Sequence, residues 1–197
     1  RAMRFFAIVL VPGGNILARV TAIKNSCSPI LGSPEGLALP EGIYLGFFEF
    51  PAPELKKEFI RRFNLEAQGL FSGLPERLRF GSVRYMGKSA YLTPFGGLSG
   101  DPAENARSIG AKTGLVEYAD PPICPGIGFF MGNDVTPGPV DAFSFSNMEA
   151  LLLELHSPNA RWDSVAWRVL RRQARRRGGL GSGAGAGSRE ASDTKPS

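Results

Sequence analysis

The stretch Phe5-Phe6-Ala7-Ile8-Val9-Leu10-Val11 constrains this chain more than any other part of it. It is an unbroken apolar run rich in aromatic and β-branched residues, and Pro12-Gly13-Gly14 stops it at once. So short and dense a run reads as a buried strand, and it needs partners from the rest of the chain. It falls well short of the ~20 apolar residues of a membrane span. No small-residue cleavage site follows it, so export is not the expectation.

The partners are legible downstream. Residues 43–50 alternate, with Ile43, Leu45 and Phe47 expected on one face and Tyr44, Gly46 and Phe48 on the other. Residues 77–85 and 89–95 read as a hairpin around Met86-Gly87-Lys88, with a bulge where the alternation shifts phase at Gly81. Three more strands are expected over 123–131, 142–155 and 164–170. Helices are predicted over 16–24, capped by Asn15, and from Pro51-Ala52-Pro53-Glu54 with the apolar stripe Leu55, Phe59, Ile60, Phe63. A third runs from Asp101-Pro102-Ala103-Glu104 to near Gly114. Residues 26–40, with four prolines and glycines before Pro40, read as a loop. The order β-α-β-α-β-β-α-β-β-β, closing on an antiparallel hairpin, predicts an α+β domain.

At 197 residues and 43% hydrophobic, the chain can bury a core of its own. Its net charge of +5 is unevenly distributed. Lysine and arginine balance aspartate and glutamate over 1–170, and the whole excess lies in 171–197. That stretch opens with Arg171, Arg172, Arg175, Arg176 and Arg177, then turns to Gly/Ala/Ser, and is expected to be a disordered tail. The arginines suit a phosphate backbone or an anionic surface, or simply keep the tail soluble. There is one histidine, His156, which excludes any mechanism needing two imidazoles and any multi-histidine metal site. The two cysteines, Cys27 and Cys124, form no C-x-x-C pair, so neither a disulfide framework nor a zinc knuckle is expected. They fit a reducing, cytoplasmic setting. No cofactor or metal is expected.

The element order and three segments resemble the 2H phosphoesterase superfamily, in particular the LigT-like RNA 2′,3′-cyclic phosphodiesterases, also called 2′-5′ RNA ligases. Met3-Arg4-Phe5-Phe6-Ala7-Ile8-Val9-Leu10-Val11-Pro12 is similar to that family's opening strand. Pro40-Glu41-Gly42-Ile43-Tyr44-Leu45-Gly46-Phe47-Phe48 resembles the stretch carrying its first H-x-T, and Cys124-Pro125-Gly126-Ile127-Gly128-Phe129 the P-H-x-T stretch. Residues 143–155 and 161–170 resemble the closing strands, so the likeness covers 3–170. It implies a bilobal α+β fold in which two antiparallel sheets flank a groove with helices outside.

The same resemblance implies two histidines, one taking a proton from the nucleophile and one giving a proton to the leaving group, with two hydroxyls holding phosphate oxygens. Those slots fall on Tyr44 and Gly126 for the histidines and on Gly46 and Gly128 for the hydroxyls. A glycine does neither job through a side chain, and a tyrosine with its usual pKa near ~10 is a poor base at neutral pH. Each lost acid or base is worth ~10²–10⁴ in rate. No catalytic residues are therefore assigned. The expectation is a catalytically inactive relative that binds a nucleotide or RNA end, or otherwise serves as an interaction module. An active phosphodiesterase with replacement residues and a purely structural protein are the alternatives. Tyr44, Gly46, Gly126 and Gly128 would line the groove, with Arg84 and Lys88 as phosphate contacts. Two readings of Gly126 and Gly128 stay open: an opening for backbone N–H groups to approach a ligand, or a bulged strand that has lost its catalytic side chains.

Overall fold

The computed structural model describes residues 3–27, 39–50, 52–158 and 161–177, without the side chains of Cys27 and Asp163. Most of the loop expected over 26–40, and the tail beyond residue 177, lie outside the described residues.

The opening run forms β1 (Met3–Pro12), the second strand of a four-stranded antiparallel sheet. One neighbour is β2 (Ile43–Glu49). The other is β7 (Met148–Ser157), followed outward by β8 (Ala166–Ala174), giving the order β2-β1-β7-β8. A second antiparallel sheet has the order β5-β4-β3-β6, from β3 (Leu78–Met86), β4 (Ser89–Pro94), β5 (Phe129–Asn133) and β6 (Phe143–Phe145). Three helices complete the fold: α1 (Gly14–Cys27), α2 (Pro53–Glu66) and α3 (Pro102–Ala111). The α+β class is the one that the element order predicts, and the two antiparallel sheets are those that the family resemblance implies. No helix among the described residues is long and apolar enough to cross a membrane.

Because β1 is central, both of its faces are covered. Phe6, Ile8 and Leu10 join Val20, Phe59, Phe63, Ala106 and Ile109 in a core on the helix side. Phe5, Ala7, Val9 and Val11 join Leu151, Leu153 and Leu155 in a second core on the other side, which we call the groove face. Tyr91 and Phe130 of the second sheet belong to this second core as well, so apolar side chains of both sheets meet there.

Several boundaries differ from expectation. α1 begins at Gly14, with the Gly13 carbonyl accepting from Ile16 and Leu17 N–H at 3.0 Å each, so Asn15 is inside the helix and not its cap. The single strand expected over 142–155 is two strands. The chain leaves one sheet at Phe145 and enters the other at Met148, with only Ser146 and Asn147 between. Residues 123–128 are irregular rather than strand, since Pro125 offers no N–H and Gly126 adopts a φ of +75°. The last strand runs to Ala174, so residues 171–174 belong to the sheet and not to a tail. The expected bulge at Gly81 is present as a register shift between Phe80 and Ser82, with a φ of +146° at the glycine.

Candidate functional site

The two segments that carry the candidate residues meet. The Gly126 N–H donates to the Tyr44 carbonyl at 2.7 Å. Two residues earlier, the Cys124 N–H donates to the Tyr91 hydroxyl at 2.8 Å. Residues 124–126 are thus stitched to β2 of one sheet and β4 of the other. Ile123 is buried in the groove-face core and Cys124 and Ile127 pack against it.

Tyr44 is not available to a ligand. It is 2% exposed, its ring stacks on Phe47 at 5.1 Å, and its hydroxyl donates to the Pro40 carbonyl at 2.8 Å. Burial, followed by the nearby Glu41 carboxylate, pushes its hydroxyl well above the ordinary tyrosine pKa, so it stays protonated as a donor. Glu41 is itself paired with Lys24 at 2.9 Å; burial raises its carboxyl despite that lysine.

Gly46 does not share the face of Tyr44. The register with β1 slips between Ile8 and Val9, pairing Gly46 with Ile8 and Tyr44 with Val9 and leaving Leu45 as the extra residue. Strict alternation therefore fails: Ile43, Leu45 and Phe48 enter the helix-side core, whereas Tyr44 and Phe47 enter the groove-face core. A Cβ on Gly46 would lie 2.9 Å from the Phe48 ring and 3.9 Å from Ala106 of α3, so Gly46 admits a ring beside a helix and lines no groove.

Gly126 and Gly128 do not hold an opening. A Cβ on Gly128 would collide with the Leu92 carbonyl oxygen and lie 3.1 Å from the Leu92 carbonyl carbon. On Gly126, a Cβ would stand 3.2 Å from that of Ala103. The glycines let strand β4 and helix α3 close in.

Arg84 and Lys88 are exposed. Arg84 pairs across the ladder with Tyr91, and so projects from the groove face of its sheet. Lys88 is in the hairpin turn, where its carbonyl accepts from the Asp134 N–H at 2.8 Å. His156 pairs with Arg4 on β1, in the alternating set that includes Phe6, Ile8 and Leu10. It therefore lies on the helix-side face, opposite Tyr44, beside Lys56, Glu154 and Arg168. Among the described residues, no three His, Cys, Asp or Glu side chains come together as metal ligands would.

Open space lies elsewhere on the groove face. A cavity of about 1210 Å³ opens where Val11, Leu151 and Val169 end the apolar surface. Pro40 and Glu41, next to the Tyr44 hydroxyl, form one wall; Trp167, Arg172 and residues 175–177 form another. The sequence marked these arginines as a basic stretch but not as part of a site. Alternation from Val165, Trp167 and Val169 would put Arg171 on that face. The register with β7 slips between Leu152 and Leu153, leaving Leu170 as the extra residue, and places Arg172 there instead, which the sequence alone does not signal.

No protein-family model matches the sequence, and no curated protein matches it. Solved structures do. E. coli LigT in complex with 3′-AMP has a TM-score of 0.56 and 14% identity, covering 90% of this chain and 100% of LigT. LigT in complex with NADP+ has a TM-score of 0.56 and 15% identity over 89% of this chain and 99% of that one. A structure described as a phosphoesterase has a TM-score of 0.56 and 16% identity over 89% and 99% of the two chains. Such identities speak for architecture alone, and the architecture of this chain is that of LigT.

Proposed function

We propose that this chain is a binding module built on the LigT-like fold, which takes a nucleotide or an RNA end and does not hydrolyse phosphodiesters. The observation that carries the second half is the position of His156, the only imidazole in the chain, on the face of the sheet opposite Tyr44 and Gly126. At the two positions that match the family's histidines, proton transfer would have to come from a buried, hydrogen-bonded tyrosine and a glycine. The first half rests on the cavity with its arginine wall, and on the nucleotides that LigT holds in solved complexes, 3′-AMP, NADP+ and ATP.

The test has two arms. An oligonucleotide ending in a 2′,3′-cyclic phosphate is incubated with the protein, and no turnover above buffer is expected. Turnover that disappears in Tyr44→Phe would establish a working enzyme instead. Calorimetric titration with 3′-AMP, ATP and short RNA is expected to show binding that weakens as salt rises. Absence of binding to all three would leave a structural or protein-partner role.

A further inference from the structure

The arginine-rich end of β8 forms one wall of a cavity, beside an exposed indole. β8 is the outer strand of its sheet. Its register sets Trp167 opposite Leu155, Val169 opposite Leu153 and Arg172 opposite Leu151. All three leucines belong to the groove-face core, so Trp167, Val169 and Arg172 project from that same face. Trp167 is 45% exposed. Arg172 follows it by about 13 Å along the strand, four residues of the partner strand.

Beyond the strand, the backbone is held in place. The Arg175 guanidinium donates to the Leu74 and Pro75 carbonyls at 2.8 Å each. Gln68 donates to the Ala174 carbonyl at 2.8 Å and accepts from the Arg176 N–H at 3.1 Å. The main chain as far as Arg176 is thereby held at the cavity, and among the described residues neither Arg176 nor Arg177 makes an ion pair. Arg177 donates only to the neutral Asn147 amide oxygen, at 3.1 Å. Of the carboxylates on the wall, Glu41 is held by Lys24 and Glu149 by Arg172, leaving Glu76 to oppose them.

We propose that this wall is a track for single-stranded nucleic acid, in which a base stacks on Trp167 and successive phosphates pair with Arg176 and Arg177, while Arg172 holds Glu149 out of their way. The proposal rests on the nucleotide-binding reading above and states which residues hold the ligand. An exposed ring with cations beyond it along one groove can stack a base and pair its phosphates without reading sequence. Duplex bases, already stacked on each other, have no free face to offer the indole.

The test uses the full chain and an oligouridylate of roughly eight nucleotides, within the usual site size. The chain has two tryptophans, and Trp162 is packed against Phe5 and Phe47, so quenching on titration reports on Trp167. Quenching is expected in the natural chain and absent in Trp167→Phe. Trp167→Ala should weaken binding about fivefold or more. Arg176→Gln/Arg177→Gln should lower the slope of log affinity against log salt by about 1.4, at ~0.7 per phosphate contact. Arg61→Gln, an exposed charge of α2 outside the cavity lining, should bind as the natural chain does.

If the natural chain binds RNA but the Trp167 and Arg176/Arg177 variants bind it equally well, the track is wrong and the nucleotide-binding reading survives. The track is equally wrong if Arg189→Gln/Lys195→Gln removes the affinity. Inorganic polyphosphate binding as tightly as RNA, with RNA giving no quench, would show a surface for polyanions at large. A chain that binds no nucleotide or RNA at all overturns both readings.

Discussion

A methyl group placed on Gly128 probes the closed groove most directly. The backbone there lies outside the left-handed region, so the obstacle is space alone. The added carbon collides with the Leu92 carbonyl oxygen and lies 3.2 Å from the Thr93 Cα. These are main-chain atoms of β4 that no rotamer change can move aside. The cost belongs near the top of the roughly 1–3 kcal/mol of overpacking. Restricting the unfolded chain offsets about 0.4–1 kcal/mol of it. The net loss is about 2–2.5 kcal/mol, which for a chain of this size lowers Tm by about 4–10 °C. Thermal unfolding followed by circular dichroism measures it. Gly69→Ala is the control, because a Cβ there meets nothing within 4 Å, and it should unfold at or slightly above the natural temperature. A Gly128→Ala protein with unchanged Tm would mean that β4 does not press on residue 128, and the account of a filled groove would fail.

Other expectations follow from the same contacts. Gly126→His/Gly128→Thr, which puts back the residue types of the family motif, should lower Tm further and yield no hydrolysis of a cyclic phosphate; a stable, active variant would contradict this. Tyr44→Phe leaves the Pro40 carbonyl without its buried donor and should cost about 1–2 kcal/mol in urea unfolding near neutral pH. Because folding raises the Tyr44 pKa, its contribution is complete below the unfolded value of 10.0 and is lost as pH climbs beyond it. The gap between the two proteins should therefore narrow by about 1.4 kcal/mol near pH 11. Arg175→Ala should lower Tm and Arg175→Lys should not restore it, since an ammonium cannot span the carbonyls of Leu74, Pro75 and Glu76 as the planar fork does. Glu154 is pushed up by burial, yet Lys56 and Arg168 together hold its carboxyl below the usual carboxylate range. Its stabilising effect is present above pH 4.5 and lost below, so Glu154→Gln should lower Tm at neutral pH and progressively less on acidification.

What was legible in the sequence follows from local physics. The β1 run, the hairpin at Gly87, the stripe on α2 and the Asp101 cap, whose Oδ1 accepts from Glu104 N–H at 2.8 Å, each need only neighbours a few residues away. The meeting of residues 44 and 126 came from the resemblance to a whole fold and not from any local pattern. The misplaced residues depended on distant partners. Gly46 faces α3 only because β2 slips by one residue against β1, and alternation within β2 alone cannot reveal that slip. Ser146-Asn147 did carry a signal, two polar residues between apolar runs, but two strands in separate sheets read as one when joined so tightly. The arginines after Leu170 read as a tail because a charged outer strand buries little, although charge on an unpaired edge is how sheets avoid joining other strands.

The two-residue step from Phe145 to Met148 also sets how the molecule can respond to anything it holds. Such a link spans at most about 11 Å from Phe145 to Met148, and Asn147 is anchored further by the Gly13 N–H at 3.2 Å and by Arg177. With that short tether at one side and residues 124–126 sewn to both sheets at the other, the halves have no slack to swing apart like a clamshell. A guest must be met by side chains that reorient, so its arrival and departure should be paced by fast rotamer changes of the rim arginines and not by slow rigid-body opening.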